Sequence, residues 1–223
     1  YATLYGLGQH TGIETGDAAG YLATPEEFER LNLQWYVGHV LQAGIGNAEC
    51  GVTPLQMACV ANTIANEGVR YKPYLVEGIY EYGTDICSAQ TEPVIAEQID
   101  LNYDYVYDYI EAGMIDASHN MPQNHSLSNL GFDVAIKTGT PQPGGQRVQD
   151  SFFIGYAPAD NPEIAFAGII EGGEYSKYMI RDIILAYQEC YGFTSVPVYN
   201  PSAQTTPAVS DTTSAVTETT PQQ

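Results

Sequence analysis

Positive charge is scarce in this chain. Seven Lys and Arg stand against 27 Asp and Glu, giving a formal net charge of −20 and a pI near 4.1. A field of that sign repels phosphate backbones and anionic lipid surfaces, so nucleic acid is not an expected partner. Long hydrophobic runs are also missing: nothing approaches the roughly 18 apolar residues a membrane helix needs. The chain opens on "YATLYGLGQ", with neither Met nor a charged-then-apolar leader, and is expected to be a piece of a longer polypeptide. Cysteine is sparse and unpatterned. Cys50, Cys59, Cys87 and Cys190 contain no CxxC and no metal-ligand spacing, so they permit disulfides without demanding them. Cys59 and Cys190 fall within apolar helical patterns and are expected as small buried hydrophobes. His10, His39, His119 and His125 form no HExxH, and neither a metal nor a cofactor is expected.

The 223 residues suffice for one substantial core. "TPLQMACVANTIANEG" carries Thr53 as N-cap, Pro54 at the first helical position and Gly68 as terminator, with Leu55, Ala58, Ala61, Ile64 and Ala65 as its apolar stripe. "AEQIDLNYDYVYDYIEAGM" is ambiguous, because its tyrosines alternate like a strand while Ile99, Tyr103, Val106 and Ile110 keep helical spacing. Its length favours helix. From Phe132 onward, "GFDVAIKTGT", "DSFFIGYAP" and "EIAFAGIIE" are short apolar runs bounded by turn residues. The last two should form an antiparallel hairpin through "PADNP". "YSKYMIRDIILAYQECYGF" then places Met179, Ile180, Ile183, Ile184, Tyr187 and Cys190 on one helical face. The expected fold class is α+β: an antiparallel sheet covered by helices, with a helical subdomain. Residues 1–130 form the mainly helical part and 131–199 the strands and C-terminal helix. Residues 200–223, rich in Thr, Ser, Pro and Gln, read as a disordered tail.

The chemistry concentrates at "VAIKTGTPQPGGQ". A strand ending in Lys137-Thr138-Gly139-Thr140 brings a point charge for a carboxylate or for proton traffic, two hydroxyl donors, and a glycine against which a substrate backbone can lie. The Thr140 N–H can complete an oxyanion hole. The plain alternative is a strand-to-turn segment with a solvated lysine.

Context favours the first reading. Lys-Thr-Gly is the third motif of penicillin-binding proteins and related β-lactamases. From Tyr5 to Phe193 the chain resembles the C-terminal part of the transpeptidase domain of class B penicillin-binding proteins. "YGLGQHTGIETGDAAGYL" looks like the segment after the family's second motif. "WYVGHVLQAGIGNAECGVTPLQMACVANTIANEG" looks like its tryptophan-to-helix stretch, with "IGN" where Ile-Gly-Gln is usual. "AIKTGT" matches the third motif, and "DSFFIGYAPADNPEIAFAGIIE" the closing hairpin. Ile136 stands where the family often has Gly. No Ser-x-x-Lys or Thr-x-x-Lys exists, since Val69, Val134 and Glu174 lie three before Lys72, Lys137 and Lys177. Ser118-His119-Asn120 has the spacing of the second motif but the wrong position, and Ser118 is expected as a turn residue in a polar loop.

The resemblance implies a penicillin-binding transpeptidase fold truncated at its N-terminus, and a serine D,D-transpeptidase whose nucleophile lies upstream. The fragment alone should be inactive. Lys137 and Thr140 would be catalytic, and Lys137, Thr138, Gly139 and Thr140 would bind substrate. Arg147 reads as a solvated loop charge before it reads as an assistant. The implied partners are the peptidoglycan stem peptide ending in D-Ala-D-Ala, β-lactams, glycan polymerases, and divisome or elongasome proteins. The implied location is the outer face of the bacterial cytoplasmic membrane, held by an upstream anchor. The alternatives are a D,D-carboxypeptidase and a non-catalytic β-lactam-sensing or scaffold module.

Overall fold

The computed structural model describes residues 1–44, 50–103, 105–140, 148–173 and 175–194. Expectations for "IGN", Arg147 and the tail lie outside the described residues. In chain order the elements are α1 (Pro25–Arg30), α2 (Val37–Gly44), α3 (Pro54–Ala65), β1 (Val69–Tyr71), β2 (Gly78–Tyr80), β3 (Cys87–Gln90), β4 (Ile95–Gln98) and α4 (Tyr105–His119). They continue with β5 (Ala135–Gly139), β6 (Ser151–Ala157), β7 (Ile164–Ile170) and α5 (Met179–Cys190). Short 3-10 turns at Gln123–His125 and Ser176–Tyr178 precede β5 and α5.

α3 starts where the sequence says it should. Thr53 Oγ1 accepts from the Gln56 N–H at 3.1 Å, and Gln56 Oε1 accepts from the Thr53 N–H at 2.9 Å. This reciprocal box satisfies two helix-end donors at once. Beyond the C-terminus, Gly68 adopts φ +97°, and a Cβ there would lie 2.3 Å from the Ile99 carbonyl oxygen. The buried side of α3 is less apolar than its stripe suggests, because Gln56 and Thr63 are as buried as Ala61. Both are satisfied: Gln56 Nε2 donates to the carbonyls of Gln9 (2.7 Å) and Ala19 (2.8 Å), and Thr63 Oγ1 to that of Cys59 (2.7 Å).

The ambiguous stretch before α4 divides in two. Its first residues are strand β4, which pairs antiparallel with β1, and a turn with Asn102 at φ +64° separates it from α4. The partner strand is remote in sequence, so local spacing could not show this. The tyrosines follow the helix: Tyr103, Tyr105 and Tyr109 are exposed, while the Tyr107 hydroxyl meets that of Tyr5 at 3.1 Å. α4 also runs further than expected. Ser118, read from sequence as a loop residue, sits in its last turn, 1% exposed, with Oγ donating to the Ile115 carbonyl at 2.8 Å.

β5, β6 and β7 form an antiparallel sheet in that order, with the expected β6–β7 hairpin. One face packs Ile136, Phe153 and Phe166 against Ile180 and Ile184 of α5, closed by Leu127, Leu130 and Phe193. The other sets Ala135 and Tyr156 against Met114 of α4, with Ile64 and Ala65 of α3 at the margin. Helices therefore cover both faces. Burying each large apolar side chain contributes about 1.5–3 kcal/mol. At the ends of α5 the sequence reading fails: Met179 and Cys190 are exposed and take no part in the core that buries Ile180 and Ile184. All four cysteines are free thiols, and burial pushes the half-buried Cys59 thiol up.

Glycines fit the sheet together. A Cβ on Gly155 would lie 2.8 Å from Phe166 Cζ, and one on Gly168 would lie 2.4 Å from Phe153 Cζ. Each of these glycines is the register partner of the ring that covers it. The two aromatic rings thus lie flat over the hairpin, where side chains would hold them off.

Candidate active site

β5 is an edge strand: β6 lies on one side of it, and among the described residues no strand pairs with the other. Its register with β6 is Ala135↔Tyr156, Ile136↔Gly155, Lys137↔Ile154, Thr138↔Phe153 and Gly139↔Phe152. Strand alternation puts Lys137 and Gly139 on the face of Ala135, toward α3 and α4, and Ile136 and Thr138 on the α5 face. Ile136 is fully buried in the α5 core, so the departure from the usual Gly fills the interior and leaves the lysine's face unchanged. Lys137 itself is exposed, as is Thr140 past the last rung, while Thr138 and Gly139 are half-buried. Lys137 Nζ donates to the Thr138 carbonyl.

The cation is otherwise uncommitted. Among the described residues Lys137 makes no salt bridge, although the chain carries a net charge of −20. Four of the other described cations have evident partners, while Lys72 has no ion pair and only lies near enough to help hold the Glu14 carboxyl below its usual range. Arg30 pairs with Glu27, Arg70 Nε donates to the Leu4 carbonyl at 3.0 Å, and Arg181 Nη1 donates to Ser126 O and Asn129 Oδ1. Lys177 lies 5.4 Å from the centre of the Tyr178 ring. An exposed ammonium on an open strand edge suits an incoming anion.

Among the described residues, a Cβ on Gly139 would meet only Phe152 Cβ, at 3.8 Å, an ordinary contact. Thus Lys137, Thr138, Gly139 and Thr140 are brought together on one strand end. Ser118 is not available as a nucleophile, because its hydroxyl is buried and engaged within α4. Among the described residues there is no group of three potential metal ligands. His10 with Asp17 (3.0 Å) and His119 with Asp133 (2.9 Å) are simple pairs.

Several residues that build this region escaped the sequence reading. Asp17 Oδ2 accepts the Thr11 N–H at 2.8 Å, and that bond holds its carboxyl below the usual range. Glu14 accepts from the Leu75 and Val76 N–H groups, tying the N-terminal segment to the β1–β2 connection. The Thr-x-x-Gln spacing of a capping box was the one signal that pointed at Gln56. The buried hydroxyls of Ser151 and Ser176, which bond to each other, had no such signal.

The comparisons agree with the fold. Residues 1–186 match the model of the penicillin binding protein transpeptidase domain. The chain is 31% identical over 202 residues to penicillin-binding protein 2B of Streptococcus pneumoniae D39, covering 83% of this chain and 28% of that protein. It is 26% identical over 188 residues to the peptidoglycan D,D-transpeptidase MrdA of Escherichia coli K12, covering 76% and 29%. The solved structure of penicillin-binding protein 2B from S. pneumoniae R6 superposes with a TM-score of 0.73 at 26% identity, over 87% of this chain and 32% of that one. That of Pseudomonas aeruginosa PBP2 in complex with WCK 5153 gives 0.68 at 27% identity, over 83% and 40%. The chain thus spans under a third of the length of these two curated relatives. With its open Lys-Thr-Gly-Thr edge and its helix-covered antiparallel sheet, it belongs to the penicillin-binding protein transpeptidase family, with homology to the class B members.

Proposed function

We propose that the polypeptide carrying this chain is a serine D,D-transpeptidase that cross-links peptidoglycan stem peptides. Residues 1–199 would be the C-terminal portion of the transpeptidase domain. The observation that carries this is the edge strand itself: among the described residues Lys137 is exposed and makes no ion pair, and a Cβ on Gly139 would meet only Phe152.

In this reading a serine supplied from outside these residues attacks the carbonyl of the penultimate D-Ala. The tetrahedral oxyanion is met by the Thr140 N–H. It collapses with cleavage of the amide, so terminal D-Ala leaves as its amine and an acyl-enzyme remains. The amine of a neighbouring stem attacks that ester, forming the cross-link and returning the serine. Lys137 supplies local positive potential for the substrate carboxylate against the field of a chain charged −20, at a range where salt screens least. Thr140, exposed past the strand end, takes the larger share of carboxylate binding, and the half-buried Thr138 the smaller.

The E. coli relative is a peptidoglycan D,D-transpeptidase, which supports transfer to an amine over transfer to water. β-Lactams would acylate the same serine. A location outside the cytoplasmic membrane, an upstream anchor, and glycan polymerase, divisome or elongasome partners belong to the same proposal. The test is product analysis with a D-Ala-D-Ala peptide and an acceptor amine, using the full-length polypeptide. Aminolysis exceeding hydrolysis supports the transpeptidase; hydrolysis alone indicates a carboxypeptidase; turnover of neither indicates a non-catalytic module.

A further inference from the structure

Among the described residues, five polar side chains are buried: Gln56, Thr63, Ser118, Ser151 and Ser176. Three have local explanations. Gln56 caps α3 and holds the N-terminal segment, while Thr63 and Ser118 return their hydroxyls to carbonyls of their own helices. Ser151 and Ser176 differ, because their hydroxyls bond to each other across 25 residues of sequence. The Ser176 N–H also donates to Ser151 Oγ at 2.8 Å, and the two residues are 2% and 0% exposed. One residue earlier, Asp150 Oδ1 accepts the Gly172 N–H at 2.7 Å.

The location gives this clamp its meaning. Ser151 opens β6 and is bonded to Phe152, the partner of Gly139 in the last rung of the β5–β6 ladder. Ser176 opens the 3-10 turn that leads into α5. The pair therefore ties the start of α5 to the end of β6 whose Phe152 pairs with Gly139 of β5. A terminal rung frays readily, and an apolar pair would fill the space without fixing direction. A buried hydroxyl pair has one satisfied geometry, and removing one hydroxyl takes that partner from the other.

We infer that Ser151 and Ser176 are positioning residues for acyl transfer: they hold the Gly139–Phe152 rung, and through it the Thr140 N–H, in the place the oxyanion requires. This rests on the transpeptidase reading above. Displacement of a reacting group by about 1 Å costs about a hundredfold in rate, so a partial loosening is visible kinetically.

The experiment measures the reversible dissociation constant and the acylation rate constant for benzylpenicillin, together with the melting temperature, in the full-length polypeptide. The variants are Ser151→Ala, Ser176→Ala, their double, and Thr63→Ala as a buried hydroxyl remote from the clamp. Each serine variant is expected to lower the acylation rate constant about tenfold. The double should fall no further than either single, because the two hydroxyls act as one unit. Thr63→Ala should lower the melting temperature without changing the acylation rate. Serine variants that lose melting temperature but acylate like the unsubstituted protein would overturn the inference. If Ser151→Ala does not fold, Ser176→Ala, which leaves β6 untouched, decides the matter alone. Failure of the unsubstituted protein to acylate is a separate outcome, and it removes the transpeptidase reading itself.

Discussion

Gly139 faces Phe152 across the last rung of the β5–β6 ladder, and among the described residues a methyl group on Gly139 would touch only the Phe152 Cβ, at 3.8 Å. In the proposed function a ligand lies along this strand, where that methyl group would obstruct it. Gly139→Ala should leave unfolding free energy within about 0.5 kcal/mol of the unsubstituted value. It should lower the benzylpenicillin acylation efficiency of the full-length polypeptide by about tenfold or more. Urea titration and acylation kinetics on the same preparation check the two halves together.

Gly155 gives the opposite result. Its Cβ would lie 2.5 Å from the Ala135 carbonyl oxygen and 2.8 Å from Phe166 Cζ, so backbone and ring must both move. Gly155→Ala should destabilise by about 1–3 kcal/mol, seen as a lowered urea midpoint. Gly168→Ala, against Phe153, should do the same.

Gln56 joins two regions. Gln56→Ala removes one arm of the α3 capping box and leaves the carbonyls of Gln9 and Ala19 without their donor. The expected cost is about 1–3 kcal/mol. Limited proteolysis should show faster cleavage within residues 1–22 than in the unsubstituted protein.

Alkaline pH should weaken the fold through two tyrosines. Burial, and then the Glu111 carboxylate that accepts its hydroxyl at 3.0 Å, pushes the Tyr156 phenol well above its ordinary value. Tyr107 is raised by burial and then by the Tyr5 hydroxyl. An unfolded tyrosine ionises near 10, while the folded ones keep their protons. The native state then binds more protons, so stability is full below about pH 10 and declines as pH rises above it. Urea midpoints should fall from about pH 9 to 11, and Tyr156→Phe should make that decline shallower.

Much of this was legible in sequence, and the limits are physical. α3 was readable because Thr53, Pro54 and Gly68 mark its ends chemically. The strands around Lys137 were readable because their turns are made of Pro, Gly and Asp. β4 was hidden because its partner β1 is remote in sequence, and Ser118 looked like a loop because polar composition does not reveal a helix end. Cys190 looked buried because periodicity fixes a helix face but not how far along it the core extends. At the site, the type and order of Lys137 to Thr140 were visible. That β5 has a strand on one side only among the described residues required the structure. The Ser151–Ser176 pair was invisible, because two serines 25 residues apart carry no pattern.

The most direct measurement is labelling with a fluorescent penicillin, comparing residues 1–223 alone with the full-length polypeptide and its Lys137→Ala and Ser118→Ala variants. The account predicts no covalent label on residues 1–223 and a strong label on the full-length protein. It predicts that label to be lost in Lys137→Ala and retained in Ser118→Ala. Covalent labelling of residues 1–223 alone, or full labelling of Lys137→Ala, would contradict it.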